Sequence, residues 1–146
     1  MAETRPLREG ERALAARALG VRERAFEVGL RAVVHGDGPA AGVAAFGTGN
    51  GGDTGWLGAI VLPPGAQLVD MYALIAGVAR ELLAAGCTRG RAVVTDGALV
   101  RVLSAAFDVG VEPFGRDAAG ALVMWRFDVD LADVLVQLDE RASGGR

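Results

Sequence analysis

The chain has 146 residues, of which 51% are hydrophobic and 23% are charged, and its formal net charge at pH 7 is −3. This composition excludes intrinsic disorder as the main state, and the length predicts one domain that buries its own core. The basic residues are all arginine, which excludes a lysine Schiff base and a P-loop lysine. The negative charge argues against broad binding to nucleic acid or anionic membranes.

The cysteine and histidine content bounds the location and the metal chemistry of the protein. The single cysteine cannot form a disulfide within the chain, and no early segment has the pattern of a signal peptide. We therefore expect a cytoplasmic location, or a virion if the chain is phage-encoded. One histidine and one cysteine do not favour a metal site. No stretch reaches the ~18–20 apolar residues that span a bilayer, so no membrane partner is expected.

The first half of the chain predicts short strands after one helix. An extended segment at residues 4–7 precedes a helix over residues 11–19, which Gly20 ends. Three β-rich runs follow, at residues 26–35, 41–47 and 56–62. The turns between them are too short for the helix that a parallel crossover needs, so these runs predict an antiparallel meander.

The second half alternates helices and strands. Apolar residues at helical spacing predict a helix over residues 71–85, with Asp70 at its start and Gly86 at its end. A buried strand at residues 91–95, a helix opened by Asp96, and a hairpin of residues 110–115 and 121–129 are expected next. Asp130 is expected to cap a last helix, in which four apolar residues share one face: Leu131, Val134, Leu135 and Leu138. Residues 142–146 are expected to be a disordered tail.

Three further features are interpreted without a functional role. Residues 47–52 match the dinucleotide pattern G-x-G-x-x-G, but a strand rather than a helix follows them, so residues 47–55 are predicted to be a mobile hairpin loop without a ligand. His35 precedes the other turn and is expected to be exposed. Cys87 follows a helix-stopping glycine and is expected to be an apolar core residue.

The order of the predicted elements resembles the GCN5-related N-acetyltransferase (GNAT) fold from residue 4 to about residue 129. Three segments carry the resemblance: residues 5–11 (RPLREGE), similar to the first strand and helix; residues 56–64 (WLGAIVLPP), where a strand ends at proline; and residues 82–95 (LLAAGCTRGRAVVT), similar to a helix end and the fifth strand. The resemblance implies a mixed α/β fold with a central, mostly antiparallel, splayed sheet flanked by helices. Residues 1–141 would form one such domain, with an extra C-terminal helix.

The resemblance also implies a reaction and a cofactor. Members of the family transfer an acyl group from acyl-CoA to an amine, and acetyl-CoA would enter between the fourth and fifth strands. Backbone N–H groups at the start of the next helix would hold its diphosphate. By position, the cofactor-binding residues are Leu62, Gln67, Leu68, Asp70 and Met71 around this helix start, and Ser104 near the pantetheine arm.

The sequence departs from the family at the positions that carry chemistry. The family segment (Arg or Gln)-x-x-Gly-x-(Gly or Ala), started at Gln67, has Asp70 and Tyr72 in place of the small residues. The Asp70 carboxylate is expected to take the helix start with its own charge, so we expect weak binding of acetyl-CoA. The fourth strand has no carboxylate for a general base, and Phe107 cannot serve as a general acid. The catalytic residues therefore stay unknown.

Two functions follow from these observations. The first is an acyltransferase that works mainly by holding acyl-CoA and an amine together. The second is a non-catalytic structural or interaction module with a GNAT-like fold, within a larger assembly such as a phage particle. The missing glycines favour the second, and so does the added C-terminal helix, which would cover either its own sheet or a protein partner. A protein partner or a homo-oligomer is expected in that case.

Overall fold

A computed structural model describes residues 3–49, 52–94, 97–106, 110–116, 118–120 and 122–144. Within these ranges the strands are β1 (Thr4–Pro6), β2 (Arg31–His35), β3 (Gly38–Thr48), β4 (Thr54–Val61), β5 (Arg89–Val94), β6 (Gly110–Arg116) and β7 (Leu122–Asp130). The α-helices are α1 (Arg12–Leu19), α2 (Leu68–Ala84), α3 (Gly97–Ala106) and α4 (Leu131–Gly144). Short 3-10 helices lie at Glu9–Glu11 and Glu23–Glu27.

The strands form one sheet in the order β1-β2-β3-β4-β5-β7-β6. Each neighbouring pair is antiparallel except β4 and β5, which run parallel. The connection between β4 and β5 contains α2, as a parallel crossover requires. The predicted mixed α/β class and mostly antiparallel sheet are therefore confirmed.

Helices cover the two faces of the sheet because successive residues of a strand point to opposite sides. In β2, Val34 packs with Ala15, Ala16 and Phe26 under α1 and the second 3-10 helix. Its neighbour Val33 packs on the other face in a cluster with α2 and α4 residues, which include Leu74, Leu82 and Leu131. Burying a side chain of this size contributes on the order of 1.5–3 kcal/mol, so these two clusters account for much of the stability.

Both ends of α2 have defined caps, and its start differs from the prediction. The helix begins at Leu68 rather than at residue 71, with Gln67 as its N-cap. Asp70 is therefore not the cap but lies one turn inside, where its Oδ2 accepts the Gln67 N–H at 2.8 Å. The predicted end at Gly86 is confirmed: φ is 95° there, and the Cys87 N–H donates to the Leu82 carbonyl at 2.9 Å.

Two of the predicted strands were wrong in part. Phe26 was assigned to a strand but lies in the 3-10 helix Glu23–Glu27, because its ring is held against α1 rather than in the sheet. The strand at residues 91–95 was expected to be buried. In β5, Arg91 and Val93 are exposed and Gly90 is buried, because the helices cover one face of this strand.

The glycine-rich segment at residues 47–55 is shorter as a loop than predicted. Gly47 and Gly55 belong to β3 and β4 and pair with Trp56 and Thr48. The prediction that a strand follows the G-x-G-x-x-G pattern is confirmed. Residues 50 and 51 lie outside the described ranges.

The apolar face of α4 packs against its own domain. Val134 and Leu138 are buried in a cluster with Ala76 of α2, and Leu131 joins the core beside Leu82. Asp130 caps the helix as predicted, since its Oδ1 accepts the Asp133 N–H at 3.1 Å. The helix continues to Gly144. Across the described ranges, no helix is both long and apolar enough to cross a membrane.

Candidate functional site

The parallel strands β4 and β5 separate part of the way along their length. They are paired from Thr54 with Arg89 to Leu57 with Ala92, and no further β4–β5 pair occurs among the described residues. Beyond that point β4 remains paired with β3 as far as Val61, and β5 remains paired with β7 as far as Val94. The strands therefore diverge on the side towards which both run, and each presents an edge to the gap. A crevice at the carboxyl ends of parallel strands is a usual place for a ligand in α/β folds.

An apolar cavity of about 80 Å³ lies on the helix-covered face of the sheet, under the paired part of β4 and β5 that precedes the split. The last paired residues, Leu57 and Ala92, line it, and the other walls come from α2, α3, α4 and β7. Representative wall residues are Ile75, Leu103, Phe127 and Val134. The walls are apolar side chains and backbone together with Arg91, so the cavity favours an apolar group over an ionic one.

The connection from β4 to α2 brings five of the predicted cofactor residues together. Leu62 follows the end of β4, Gln67 caps α2, and Leu68, Asp70 and Met71 form its first turn. Met71 is buried and Leu68 is half exposed. The start of α2 therefore combines an apolar flank with the N–H groups of a helix terminus, which attract anions.

Asp70 occupies part of this helix start. Its Oδ2 accepts the Gln67 N–H, and the Asp70 N–H itself donates to the Gln67 carbonyl at 3.0 Å. One N–H group is thus used by a carboxylate within the protein. An incoming phosphate would meet both the occupied donor and the Asp70 charge.

His35 lies beside Asp70, which corrects the prediction that it is exposed. Its side chain is 5% exposed, and its Nε2 lies 3.9 Å from Asp70 Oδ1. Gly42 makes room for the ring, since a β carbon there would lie 2.5 Å from His35 Cδ2. Both ring nitrogens are buried without a hydrogen-bond partner among the described atoms. The sequence near His35 gives no local signal for this burial, because the glycine that makes room for the ring lies further along the chain, in β3.

Several solved structures that resemble this chain are described as acetyltransferases. The chain resembles Mycobacterium smegmatis RimJ in complex with CoA-disulfide, with a TM-score of 0.64 and 16% identity. The match covers 98% of this chain and 88% of RimJ. It resembles a protein of Desulfovibrio desulfuricans described as an acetyltransferase of the GNAT family, with a TM-score of 0.61 and 16% identity. This match covers 90% of this chain and 99% of that protein. It also resembles the ribosomal-protein-S18-alanine N-acetyltransferase of Escherichia coli, with a TM-score of 0.59 and 15% identity. This match covers 90% of this chain and 94% of that enzyme.

The chain has the GNAT fold. No protein-family model and no curated protein matches the sequence. The fold is therefore established by the likeness of the whole structure to solved structures, and not by sequence motifs.

The sixth predicted cofactor residue lies on another element of the GNAT fold. Ser104 is exposed on α3, apart from the β4–α2 connection. Its neighbour Leu103 lines the apolar cavity together with α2 residues such as Ile75, so α3 forms part of the wall of this cavity. Asp96 and Phe107, which the sequence placed at the two ends of this helix, lie outside the described residues.

On the opposite face of the sheet, β5 and β7 carry a group of charged side chains. Asp128 accepts hydrogen bonds from Arg89 at 2.9 Å and from Arg91 at 3.1 Å. Burial raises the pKa of the Asp128 carboxyl, but the two arginines outweigh burial, and the pKa lies below its usual range. The hydrogen bonds and charges of these three side chains are therefore paired within the group. In the part of the chain that is described, no three His, Cys, Asp or Glu side chains could hold a metal ion.

Cys87 is buried in the core cluster beside Leu82, as predicted. Glu81 on α2 is paired with Arg31 at 3.1 Å near the other end of the helix, away from the split. Neither residue lies among those that line the cavity. The site is therefore built from backbone, apolar side chains and the His35–Asp70 contact.

Proposed function

We propose that this chain is an acyl-CoA-dependent N-acyltransferase. The observation that carries the proposal is the divergence of β4 and β5 beyond Leu57 and Ala92, together with the connection that leads from the end of β4 to the start of α2. The divergence gives an extended ligand two strand edges with which to hydrogen-bond. The start of α2 gives the same ligand an anion-binding end.

The residues around the split fit the parts of acetyl-CoA. The apolar cavity bounded by Leu57, Ala92 and Leu103 suits the pantetheine arm and the acyl group. Leu62, Gln67, Leu68, Asp70 and Met71 would flank the diphosphate, and Ser104 would lie towards the pantetheine arm. When bound, acyl-CoA supplies an acyl group activated as a thioester.

An amine is the acceptor that the similar structures favour. The Escherichia coli protein acts on an alanine of a ribosomal protein, and the Mycobacterium smegmatis protein holds CoA-disulfide. A reaction with acyl-CoA also agrees with the cytoplasmic location that the single cysteine favours.

The chain contributes mainly by holding the reactants, because β4 carries no acid or base. Its residues from Thr54 to Val61 include no carboxylate and no imidazole. Orientation of two reactants at one site contributes several orders of magnitude in rate. Backbone N–H groups along the free edge of β4 would polarise an acyl carbonyl placed there.

Calorimetric titration with acetyl-CoA, followed by measurement of free thiol released in the presence of an amine panel, tests the proposal. We expect weak binding by the natural chain, tighter binding by Asp70→Gly combined with Tyr72→Gly, and thiol release that depends on an amine. A folded double variant and a folded natural chain that both fail to bind at about 1 mM would contradict it.

The non-catalytic module is the second candidate, and one observation favours it. The Asp70 carboxylate already fills a donor that a diphosphate would need. In that case acetyl-CoA binds neither form of the protein, and a homo-oligomer or a protein partner is expected. Light scattering after gel filtration, performed beside the titration, separates the two functions.

A further inference from the structure

The carboxylate of Asp70 lies between two different partners. Its Oδ2 accepts the Gln67 N–H at 2.8 Å, and its Oδ1 lies 3.9 Å from His35 Nε2. The first distance is a hydrogen bond, and the second is about 1 Å too long to be one. The carboxylate is therefore bonded to Gln67 and would have to move by about 1 Å towards His35 to form a hydrogen bond with it.

The two ring nitrogens of His35 lack hydrogen-bond partners among the described residues. A neutral imidazole has one N–H donor and one acceptor nitrogen, and both nitrogens of His35 are buried without a partner in the described structure. Buried polar groups that lack a hydrogen bond cost free energy. The ring occupies the space that the absence of a side chain at Gly42 leaves, and Leu62 borders the same space. His35 is thus positioned to accept a new partner from the direction of α2.

Asp70 is the charged group that can interact with His35, because the charged side chains on the surrounding elements are either paired with each other or exposed. Arg5 of β1 and Glu11 of the first 3-10 helix form two hydrogen bonds of 2.7 Å with each other, so their charges cancel. Arg5 also donates to the Gly36 carbonyl next to His35. The residue of β3 that lies next to the His35 ring is Gly42, which carries no charge. Asp37 is exposed in the turn after β2.

We propose that His35 is a positioning residue that takes over the Asp70 carboxylate when a phosphate-bearing ligand binds at the start of α2. The carboxylate leaves the Gln67 N–H, and the Gln67 N–H donates to a phosphate oxygen instead. His35 takes up one proton from solvent, so that both ring nitrogens carry hydrogen, and its Nε2–H donates to Asp70. The imidazolium cancels the carboxylate charge that would otherwise repel the ligand.

This inference rests on the proposed function in one respect, which is that the ligand is the diphosphate of acyl-CoA. It explains how a helix start that carries a carboxylate can still receive an anion. A histidine is suited to this role because it changes charge between about pH 5 and 8.

The test is calorimetric titration of the full chain with CoA in two buffers that differ in ionisation enthalpy, at pH values from 7.5 to 8.5. The phosphate groups of CoA are almost fully ionised in this range, so the protons taken up on binding of CoA go to the protein. Inorganic pyrophosphate still titrates in this range, so for that probe only the difference in uptake between the natural chain and His35→Gln is used. We expect a net uptake of protons when CoA binds. Because binding takes up protons, the affinity should fall as the pH rises.

Three variants test whether His35 is the group that takes up the proton. His35→Gln keeps a neutral donor near Asp70 but cannot titrate, so binding should weaken and the proton uptake should vanish. Asp70→Asn removes the repelling charge, so binding should be roughly tenfold tighter at pH 8 and independent of His35. Asp37→Asn removes an exposed carboxylate close to His35 in sequence, and it should behave as the natural chain does. Circular dichroism checks that each variant is folded.

Equal proton uptake in the natural chain and in folded His35→Gln would overturn the inference, and so would unchanged affinity in Asp70→Asn. Inorganic pyrophosphate is the second probe, which separates this inference from the proposed function. Binding of pyrophosphate with uptake that depends on His35, without binding of CoA, would support the inference and contradict the proposed function. Failure of both probes to bind any variant would contradict both.

Discussion

Trp56 packs its indole ring against the backbone of Gly47 on the neighbouring strand. A β carbon at residue 47 would lie 2.6 Å from Cε2 and 3.0 Å from Nε1 of the ring. Gly58 lies under another part of the same ring, where a β carbon would be 3.2 Å from Cζ3. The two glycines let the indole lie close to the sheet, where 40% of Trp56 stays exposed.

Replacement of Gly47 by alanine should therefore destabilise the protein. The added methyl group would force the indole away from β3, and overpacking of this kind costs about 1–3 kcal/mol. Chemical denaturation measures the free energy of unfolding. Gly52→Ala is the matched control in the same hairpin, because the nearest heavy atom to its β carbon would be Thr54 N at 3.8 Å. Equal losses in the two variants would contradict the packing described for Trp56.

The pair of Arg5 and Glu11 predicts a dependence of stability on pH. Hydrogen bonds from Arg5 lower the pKa of Glu11 from 4.5 to about 2. The pKa is depressed in the folded state, so this contribution is complete above pH 4.5 and is lost as the pH falls towards 2. The difference in unfolding free energy between the natural chain and Glu11→Gln should shrink over that range. Glu9→Gln, which removes an exposed carboxylate of the same turn, is the control, and a constant difference for Glu11→Gln would refute the assignment.

The order of the elements could be predicted from the sequence because the signals for it are local. Glycines end α1 and α2 in the left-handed conformation, and apolar residues recur at the period of each element. The start of α2 was placed too late, since Leu68 and Val69 are exposed and carry no periodic signal. Local periodicity also could not show that Phe26 turns away from the sheet.

The site was less predictable because its parts meet through the fold. The burial of His35 depends on the absence of a side chain at Gly42 and on the position of Asp70 at the start of a later helix. A histidine before a glycine-containing turn gives no local sign of either. The likeness to the GNAT fold, by contrast, located the β4–α2 connection correctly because it compares whole arrangements of elements.

The packing of α4 predicts which of its side chains stabilise the domain. Leu138 is 4% exposed in the cluster with Ala76 and Val134, whereas Val136 on the same helix is 57% exposed. Leu138→Ala should lower the free energy of unfolding by about 2–5 kcal/mol, and Val136→Ala should change it little. Thermal unfolding followed by circular dichroism measures both. A larger loss in Val136→Ala would show that a partner, rather than the domain, covers α4.

The cavity under the last paired residues of β4 and β5 gives a last prediction about ligand binding. Ala92 is the last residue of β5 that pairs with β4, and its side chain lines the cavity. Ala92→Leu would fill that space with apolar atoms, which preserves the core but leaves no room for a pantetheine arm. We expect binding of acetyl-CoA to weaken by roughly tenfold or more, with little loss in the unfolding temperature. Ala13→Leu, at an exposed site of α1, is the matched control. Unchanged binding by folded Ala92→Leu would place the ligand elsewhere, because no apolar chain could then enter between the diverging strands.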